Sequence, residues 1–370
     1  MKRLFKNLSI LLIALGITLL TGCDASNNEN NIVTLPPDSS FSIQFIDVGQ
    51  GDAALIQCDE HYMLIDGGNV GDSNLIYSVL QNNSIKHLDI VVGTHAHEDH
   101  IGGLPGALEY ADADKVLSPV TEYNSKAFEN FKKYADEKGG GLIIPSIGDE
   151  FNLGSAKVTI VGVNSGEDTN NTSIVLKIAY GETEFLFTGD VERDGEKVIL
   201  GNGFDLSADV LKVGHHGSDT STSYPFLREV MPKYAVISVG EGNKYEHPTD
   251  ATLSKLRDAE VEFYRTDLNG DILCVSDSKK VTFTVAKTTS EKDLLTSGNG
   301  VVYSNPSNNT EDVNSNIDEG EYVLNTKTKK FHLNSCDSAK DISDSNKAIY
   351  IGNRYDLIDD GYEACKKCNP

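Results

Sequence analysis

His95, His97, Asp99 and His100 place four metal-ligating side chains within six residues. Imidazole nitrogen and carboxylate oxygen suit zinc and related divalent cations. Two residues apart in an extended stretch, His95 and His97 can point the same way. Asp99 and His100 come from the turn that follows, so one loop can offer two ligand pairs to two neighbouring ions. Downstream, Asp190 follows the apolar run Phe185-Leu-Phe187 and a glycine. A carboxylate there can bridge two cations held about 3.5–4 Å apart. His215 and His216 end another apolar run and are candidates for ligation or substrate contact. Ser218 either meets a phosphoryl oxygen or closes its turn. His247, before Pro248, is a candidate proton donor or phosphate contact, the alternative being packing in the site wall. A second set stands far away: His332-x3-Cys336 and Cys365-x2-Cys368 have the spacing of a closed tetrahedral zinc site, with a Cys365–Cys368 disulfide as the alternative.

The elements that must position these groups follow from hydrophobic patterning. The run Leu88–Val92 ends in Gly93-Thr94 and reads as a buried strand feeding the histidine loop. Strands are also expected at 42–48, 53–57, 62–65, 158–161, 173–179, 184–188, 210–213, 235–239, 272–275 and 281–285. Helices are expected at 73–81, 125–137, 225–231 and 249–258. Residues 41–287 thus form one layered α/β domain, long enough to bury a large core. Residues 288–320, rich in Ser, Asn, Asp, Glu and Gly, read as a linker, and 321–370 as a small module in need of a staple.

At the start, Lys2, Arg3 and Lys6 precede an apolar stretch from Leu8 to Leu20, too short and too early for a spanning helix. Its end, Leu20-Thr-Gly-Cys23, resembles the bacterial lipoprotein cleavage box. That resemblance implies a signal peptide over 1–22, lipid on Cys23 and a polar tether over 23–40. The chain is then exported and held at the outer face of the cell membrane. Removal of 1–22 deletes three positive charges and moves the formal charge from −24 to −27. So acidic a chain is soluble and repels polyanions at long range, which opposes a broad DNA-binding groove. Beyond Cys23 an odd number of cysteines remains, which disfavours a full disulfide framework.

The histidine loop resembles the HxHxDH signature of the metallo-β-lactamase fold, an αββα sandwich with metals at one edge. Phe45-Ile-Asp-Val-Gly-Gln-Gly-Asp52, Asn171-Thr-Ser-Ile-Val-Leu176, Phe187-Thr-Gly-Asp190, Leu211-Lys-Val-Gly-His-His-Gly-Ser218 and Asn243-Lys-Tyr-Glu-His-Pro248 follow in order. Together they resemble the hydrolase domain of ComEC-type DNA-uptake competence proteins over about residues 41–280. The resemblance implies one ion on His95, His97 and Asp190, and another on Asp99, His100, His216 and Asp190. His215 is then the substrate contact or proton donor, with the reverse His215/His216 assignment open. Asp66 becomes the carboxylate that orients ligand histidines. Asp47 and Asp52 flank a permissive glycine loop, where capping and turn formation are at least as well supported as catalysis. No histidine lies between His100 and Asp190, where many members place a third ligand; Asn170-Asn-Thr-Ser173 stands there.

The implied activity is hydrolysis of a phosphodiester, DNA first, by a hydroxide bridging two zinc or manganese ions. The alternatives are a phosphocholine-type esterase, a lactam or thioester hydrolase on the same scaffold, and a surface binding protein without catalysis. The tail resembles the small zinc domain of Ada DNA-repair proteins, with His332 where that family carries its methyl-accepting Cys. A structural zinc and contact with DNA or the cell wall are therefore expected of it.

Overall fold

The computed structural model describes residues 40–300, 319–334, 336–353, 357, 361–365 and 367–368. The expected signal segment 1–22, Cys23, the tether up to residue 39 and residues 301–318 of the expected linker lie outside the described residues. Among the described residues no helix is long and apolar enough to cross a membrane.

Among the described residues, fifteen strands build two sheets. The chain lays down β1 (Phe41–Phe45), β2 (Ala54–Cys58), β3 (His61–Ile65), β4 (His87–Val92), β5 (Asp112–Leu117) and β6 (Leu142–Ile143) first. Next come β7 (Glu150–Leu153), β8 (Ala156–Gly162), β9 (Val175–Tyr180), β10 (Thr183–Phe187), β11 (Val210–Lys212), β12 (Tyr234–Ile237) and β13 (Glu262–Arg265). Finally β14 (Ile272–Ser276) and β15 (Val281–Val285) return to the first sheet, giving the orders β15-β14-β1-β2-β3-β4-β5-β6 and β13-β12-β11-β10-β9-β8-β7. Successive side chains on a strand alternate faces, so Phe41, Ile43 and Phe45 all enter the space between the sheets. There the Phe41 ring stacks 4.8 Å from that of Phe185, and Phe45 5.9 Å from Phe187. Truncating Phe185 to Ala should cost about 3–5 kcal/mol.

Helices cover both outer faces. On the first sheet lie α1 (Ser73–Asn82), α2 (Glu98–Ile101), α3 (Leu104–Tyr110) and α4 (Lys126–Lys138). Their Ile76, Leu80, Leu104 and Phe131 pack on Leu55, Leu64 and Val91. On the second lie α5 (Arg193–Leu200), α6 (Tyr224–Val230) and α7 (Asp250–Asp258), with Ile199, Phe226 and Leu253 against Leu186, Leu211 and Ala235. The result is the αββα sandwich. Ser125 and Thr249, expected inside helices, are their N-caps: each side-chain oxygen accepts an amide N–H from three residues on. The strand expected from Ser173 begins at Val175, because residues 170–172 form a 3-10 turn.

After β13 come α8 (Thr266–Asn269) and, beyond β15, α9 (Glu291–Leu294). Residues 288–300, expected as the start of a linker, run back over the domain. Leu294 and Leu295 pack against the second sheet's outer core. The buried Arg265 guanidinium donates to the carbonyls of Leu294 and Thr296 while pairing with Asp267 at 2.7 Å. A buried guanidinium needs acceptors for its donors, and this segment supplies two of them.

Parallel pairing decides where the chemistry gathers. β3 and β4 run parallel, as do β10, β11 and β12. Parallel neighbours end at the same edge, so the loops holding Asp66, His95–His100, Asp190, His215–His216 and His247 all leave from one rim.

The tail folds as β16 (Glu319–Asn325), β17 (Lys330–Leu333), α10 (Asp337–Lys340), β18 (Lys347–Asn353) and β19 (Glu363–Ala364), with sheet order β18-β16-β17-β19. Pairing of β17 with β19 sets Phe331 opposite Ala364, and so brings His332 beside Cys365.

Candidate functional site

The loop after β4 is pinned from beneath. Asp66, wholly buried and left-handed at φ 57°, accepts from the Thr94 amide at 2.8 Å and the Thr94 hydroxyl at 2.7 Å. It also accepts from His100 Nδ1 at 2.8 Å, which turns His100 Nε2 toward the centre. His95 Nε2 and His97 Nδ1 lie 3.0 Å apart, as two nitrogens facing one ion would.

Asp190 is the hub. Its Oδ2 lies 3.2 Å from His100 Nε2, 3.4 Å from His216 Nε2, 3.8 Å from His215 Nε2 and 3.9 Å from His95 Nε2. Gly189 before it has φ +52°, and a Cβ there would stand 2.8 Å from Ser173 Oγ, so only glycine fits the approach. Ser173 Oγ accepts the Asp190 amide at 3.1 Å, and Asn171 Oδ1 accepts that of Glu192 at 2.9 Å. The Asn170–Ser173 stretch, standing where a third histidine was absent, braces the hub.

His215 and His216 are both left-handed, with φ of 51° and 55°. Such strain persists only where surroundings enforce it. It sends the two rings apart. His216 is buried; its Nδ1 donates to the Ser238 carbonyl at 3.0 Å and lies 3.2 Å from Asp52 Oδ1, while Nε2 is 3.5 Å from Asp99 Oδ2. His215 lines the cavity, with Nδ1 3.3 Å from Glu192 Oε1. Asp52 and Glu192 are the members that sequence reasoning underrated or missed. Lys212, 2.8 Å from Asp52, was the available signal, since a lysine inside a buried strand demands a carboxylate partner.

Burial disfavours charge on all these groups, yet mutual attraction keeps most of them ionised. Against burial, Lys212 and His216 hold Asp52 down at about 2. His100 and His216 hold Asp190 well below the usual carboxylate range. Conversely Asp190 and Asp66 raise His100, and Asp190 and Asp52 raise His216. His95 is lowered by burial and by His100 beside it. The centre thus concentrates carboxylates around a point that calls for positive charge.

Divalent cations fit that point. His100 Nε2, His216 Nε2 and Asp190 Oδ1 are buried and have no hydrogen-bond partner among the described residues. The ligating atoms of His95, His100 and Asp190, and those of Asp99, His100 and His216, lie within 4.8 Å of one another. A cavity of about 290 Å³ opens above them, walled by His97, Asp99, Asp190, His215, His216 and His247. The His247 ring sits 5.7 Å from that of His215 and 5.7 Å from that of Tyr245. Burial and the neighbouring His215 lower its pKa to about 4. Of the two readings open for Ser218, the turn is the one with a partner in the structure. Its hydroxyl lies 3.0 Å from that of Thr220 and accepts the Thr220 amide, which closes the turn.

In the tail, the ligating atoms of His332, Cys336, Cys365 and Cys368 lie within 4.8 Å of one another. All three thiols are free, and His332 Nδ1 is buried without a hydrogen-bond partner among the described residues. Sulfur and nitrogen donors converging in this way fit a structural zinc.

Comparison with known proteins bears on the sandwich. The metallo-beta-lactamase superfamily matches residues 46–241. ComE operon protein 3 of Bacillus subtilis (strain 168) is 30% identical over 268 residues, covering 67% of this chain and 34% of that protein. Competence protein ComA of Neisseria gonorrhoeae is 31% identical over 236 residues, covering 63% and 32%. The solved structure of YhfI from Bacillus subtilis, described as a metallo-beta-lactamase fold protein, shares 15% identity at a TM-score of 0.41, covering 66% of this chain and 100% of that one. The chain spans about a third of the length of the curated relatives it matches.

Proposed function

Because the chain belongs to the metallo-beta-lactamase superfamily and is related to competence proteins, we propose that it is a dinuclear-metal phosphodiesterase acting on DNA outside the cytoplasm. The observation that carries this reading is the single Asp190 oxygen within 3.2–3.9 Å of four imidazole nitrogens. His95, His97 and Asp190 would hold one zinc or manganese ion; Asp99, His100, His216 and Asp190 the other. Bound there, the cations supply a water of lowered pKa and positive charge for the phosphoryl oxygens.

The remaining steps belong to side chains. Glu192 orients His215 through Nδ1, leaving Nε2 toward the cavity to contact the phosphate or give a proton to the leaving oxygen. His247, wedged between Tyr245 and His215, is a neutral contact on the substrate. Asp66 fixes His100, and the Asp52–Lys212 pair fixes His216. DNA is the first substrate to assay because one relative is named a competence protein.

Lipid on Cys23 would hold the chain at the outer face of the membrane. The tail, with one structural zinc, would carry contact with DNA or the cell wall. The test loads the full chain with zinc or manganese and offers single-stranded DNA, duplex DNA, a phosphocholine ester and a lactam. Cleavage of DNA that is lost in Asp190→Ala is the expected result. Turnover of the lactam without any phosphodiester overturns the reading. Labelled palmitate incorporated into wild type but not Cys23→Ala checks the anchor.

A further inference from the structure

Beside the metal cavity lies a second hollow of about 460 Å³. It shares Gln50, Glu98, Asp99 and Tyr245 with that cavity and adds Asn69, Asn243 and Lys244. Tyr245 stands at the boundary, 52% exposed, its ring stacked at 26° on that of His247.

An exposed tyrosine on a loop would ordinarily sample many positions. This loop is tied on both sides. Asn243 Oδ1 accepts the amides of Tyr245 and His247, each at 3.1 Å. Its Nδ2 donates to the carbonyls of Gly240 at 2.9 Å and His247 at 2.7 Å. From behind, the Gly298 amide donates to the Pro248 carbonyl at 2.9 Å. A Cβ at Gly298 would stand 2.4 Å from the His247 carbonyl oxygen, so the segment 288–300 closes on the loop only because this residue is glycine. The backbone under Tyr245 is therefore held at the mouth of the metal cavity, with its aromatic side chain left partly open to solvent.

The side-chain charges around it disfavour a phosphate track beyond the metal centre. Among the described residues, Glu98, Asp99 and Asp190 wall the two hollows, with Lys244 their one lysine. Lys212 is buried and paired with Asp52. Nucleic-acid binding through phosphates needs several cations. Base stacking on an aromatic ring needs none and tolerates any sequence. Carboxylates such as Glu98 accept from base amino groups, which phosphates cannot offer.

We propose that the second hollow is a nucleobase subsite, in which a base flanking the scissile phosphate stacks on Tyr245 in place of the Lys244 ammonium, now 4.8 Å from the ring centroid. Resting on the phosphodiesterase reading above, this makes single-stranded or unpaired DNA the preferred substrate, since duplex bases are already stacked and must first be pulled out.

The test uses the metal-loaded full chain, an oligothymidylate and the same oligonucleotide with abasic sites. KM is measured by cleavage and affinity by fluorescence anisotropy. In wild type the oligothymidylate should show a KM about tenfold below that of the abasic strand. That ratio should collapse toward one in Tyr245→Ala and persist in Tyr245→Phe. Cleavage whose ratio ignores Tyr245→Ala sinks the subsite alone. Binding that depends on Tyr245 without any cleavage upholds the subsite and sinks the phosphodiesterase reading. Failure of wild type to bind or cleave either strand sinks both.

Discussion

The two ligand clusters of this chain relate to their cores in opposite ways. In the sandwich, the histidines and carboxylates stand on the rim of apolar clusters built from other residues. Three of the histidines are oriented by a carboxylate: buried Asp66 under His100, buried Asp52 under His216 and half-buried Glu192 beside His215. In the tail, Cys336 and Cys365 are themselves members of a small buried cluster with Val323, Ala339 and Ile342. A site supported by a large fold can leave room for substrate above its ions. A site that is itself the core has no such room and must be closed. The difference follows from size, since about fifty residues bury too little apolar surface to stand without a staple.

The comparison breaks most visibly if the tail survives without metal. Cys365→Ser, or chelation of the wild type, should remove on the order of 10 kcal/mol of folding free energy from that module. Hydrogen exchange should then show 319–365 unprotected and the sandwich strands unchanged; retained protection in the tail would sink the contrast. Next in size, Asp190→Ala should lower turnover by about 10²–10³-fold, the scale lost with a preorganised electrostatic contact. Its sandwich should still melt cooperatively in a calorimeter, because the fold does not depend on that carboxylate.

Asp66→Ala should be milder and different in kind. It weakens metal affinity by about 10–100-fold, and excess metal restores activity. A metal titration separates it from Asp190→Ala, where added metal restores nothing. A pH series sharpens the contrast further. Asp190 and Asp99 are held well below the usual carboxylate range, so both stay ionised and available to an ion as pH falls through 6 and 5. The tail must protonate thiolates as well as His332. Competition titrations at falling pH should therefore show the steeper loss of affinity in the tail. Smallest of all, Ser218→Ala should cost about 0.5–1.5 kcal/mol of stability by loosening its turn, read as a small melting shift, without altering the KM ratio set by Tyr245.

Much of this was legible along the chain because it depends on local spacing. Four ligands in six residues, the Gly189-Asp190 strand end and the paired Cys/His spacings need no tertiary information to suggest metal chemistry. The strand runs were visible because side chains entering a two-sheet core are apolar at every second position or throughout. Strands such as β5, with Asp112, Asp114 and Lys115 exposed along an otherwise buried segment, hid behind their charges. The segment 288–300 read as linker because its few apolar residues, Leu294 and Leu295, have no period; their meaning depends on Arg265, nearly thirty residues earlier.

By itself, then, the sequence determined the ligand types, their local pairing and the layered class of the domain, because these follow from chemistry and periodicity within short windows. Only the tertiary structure decided that parallel strands end at one rim, that Asp52 and Lys212 stand behind His216, and that Ser218 meets Thr220 across its turn. It also set Tyr245 at the mouth of a second hollow. Those relations join residues that the chain separates by many positions, and a contact between distant residues exists only once the backbone has closed the distance between them.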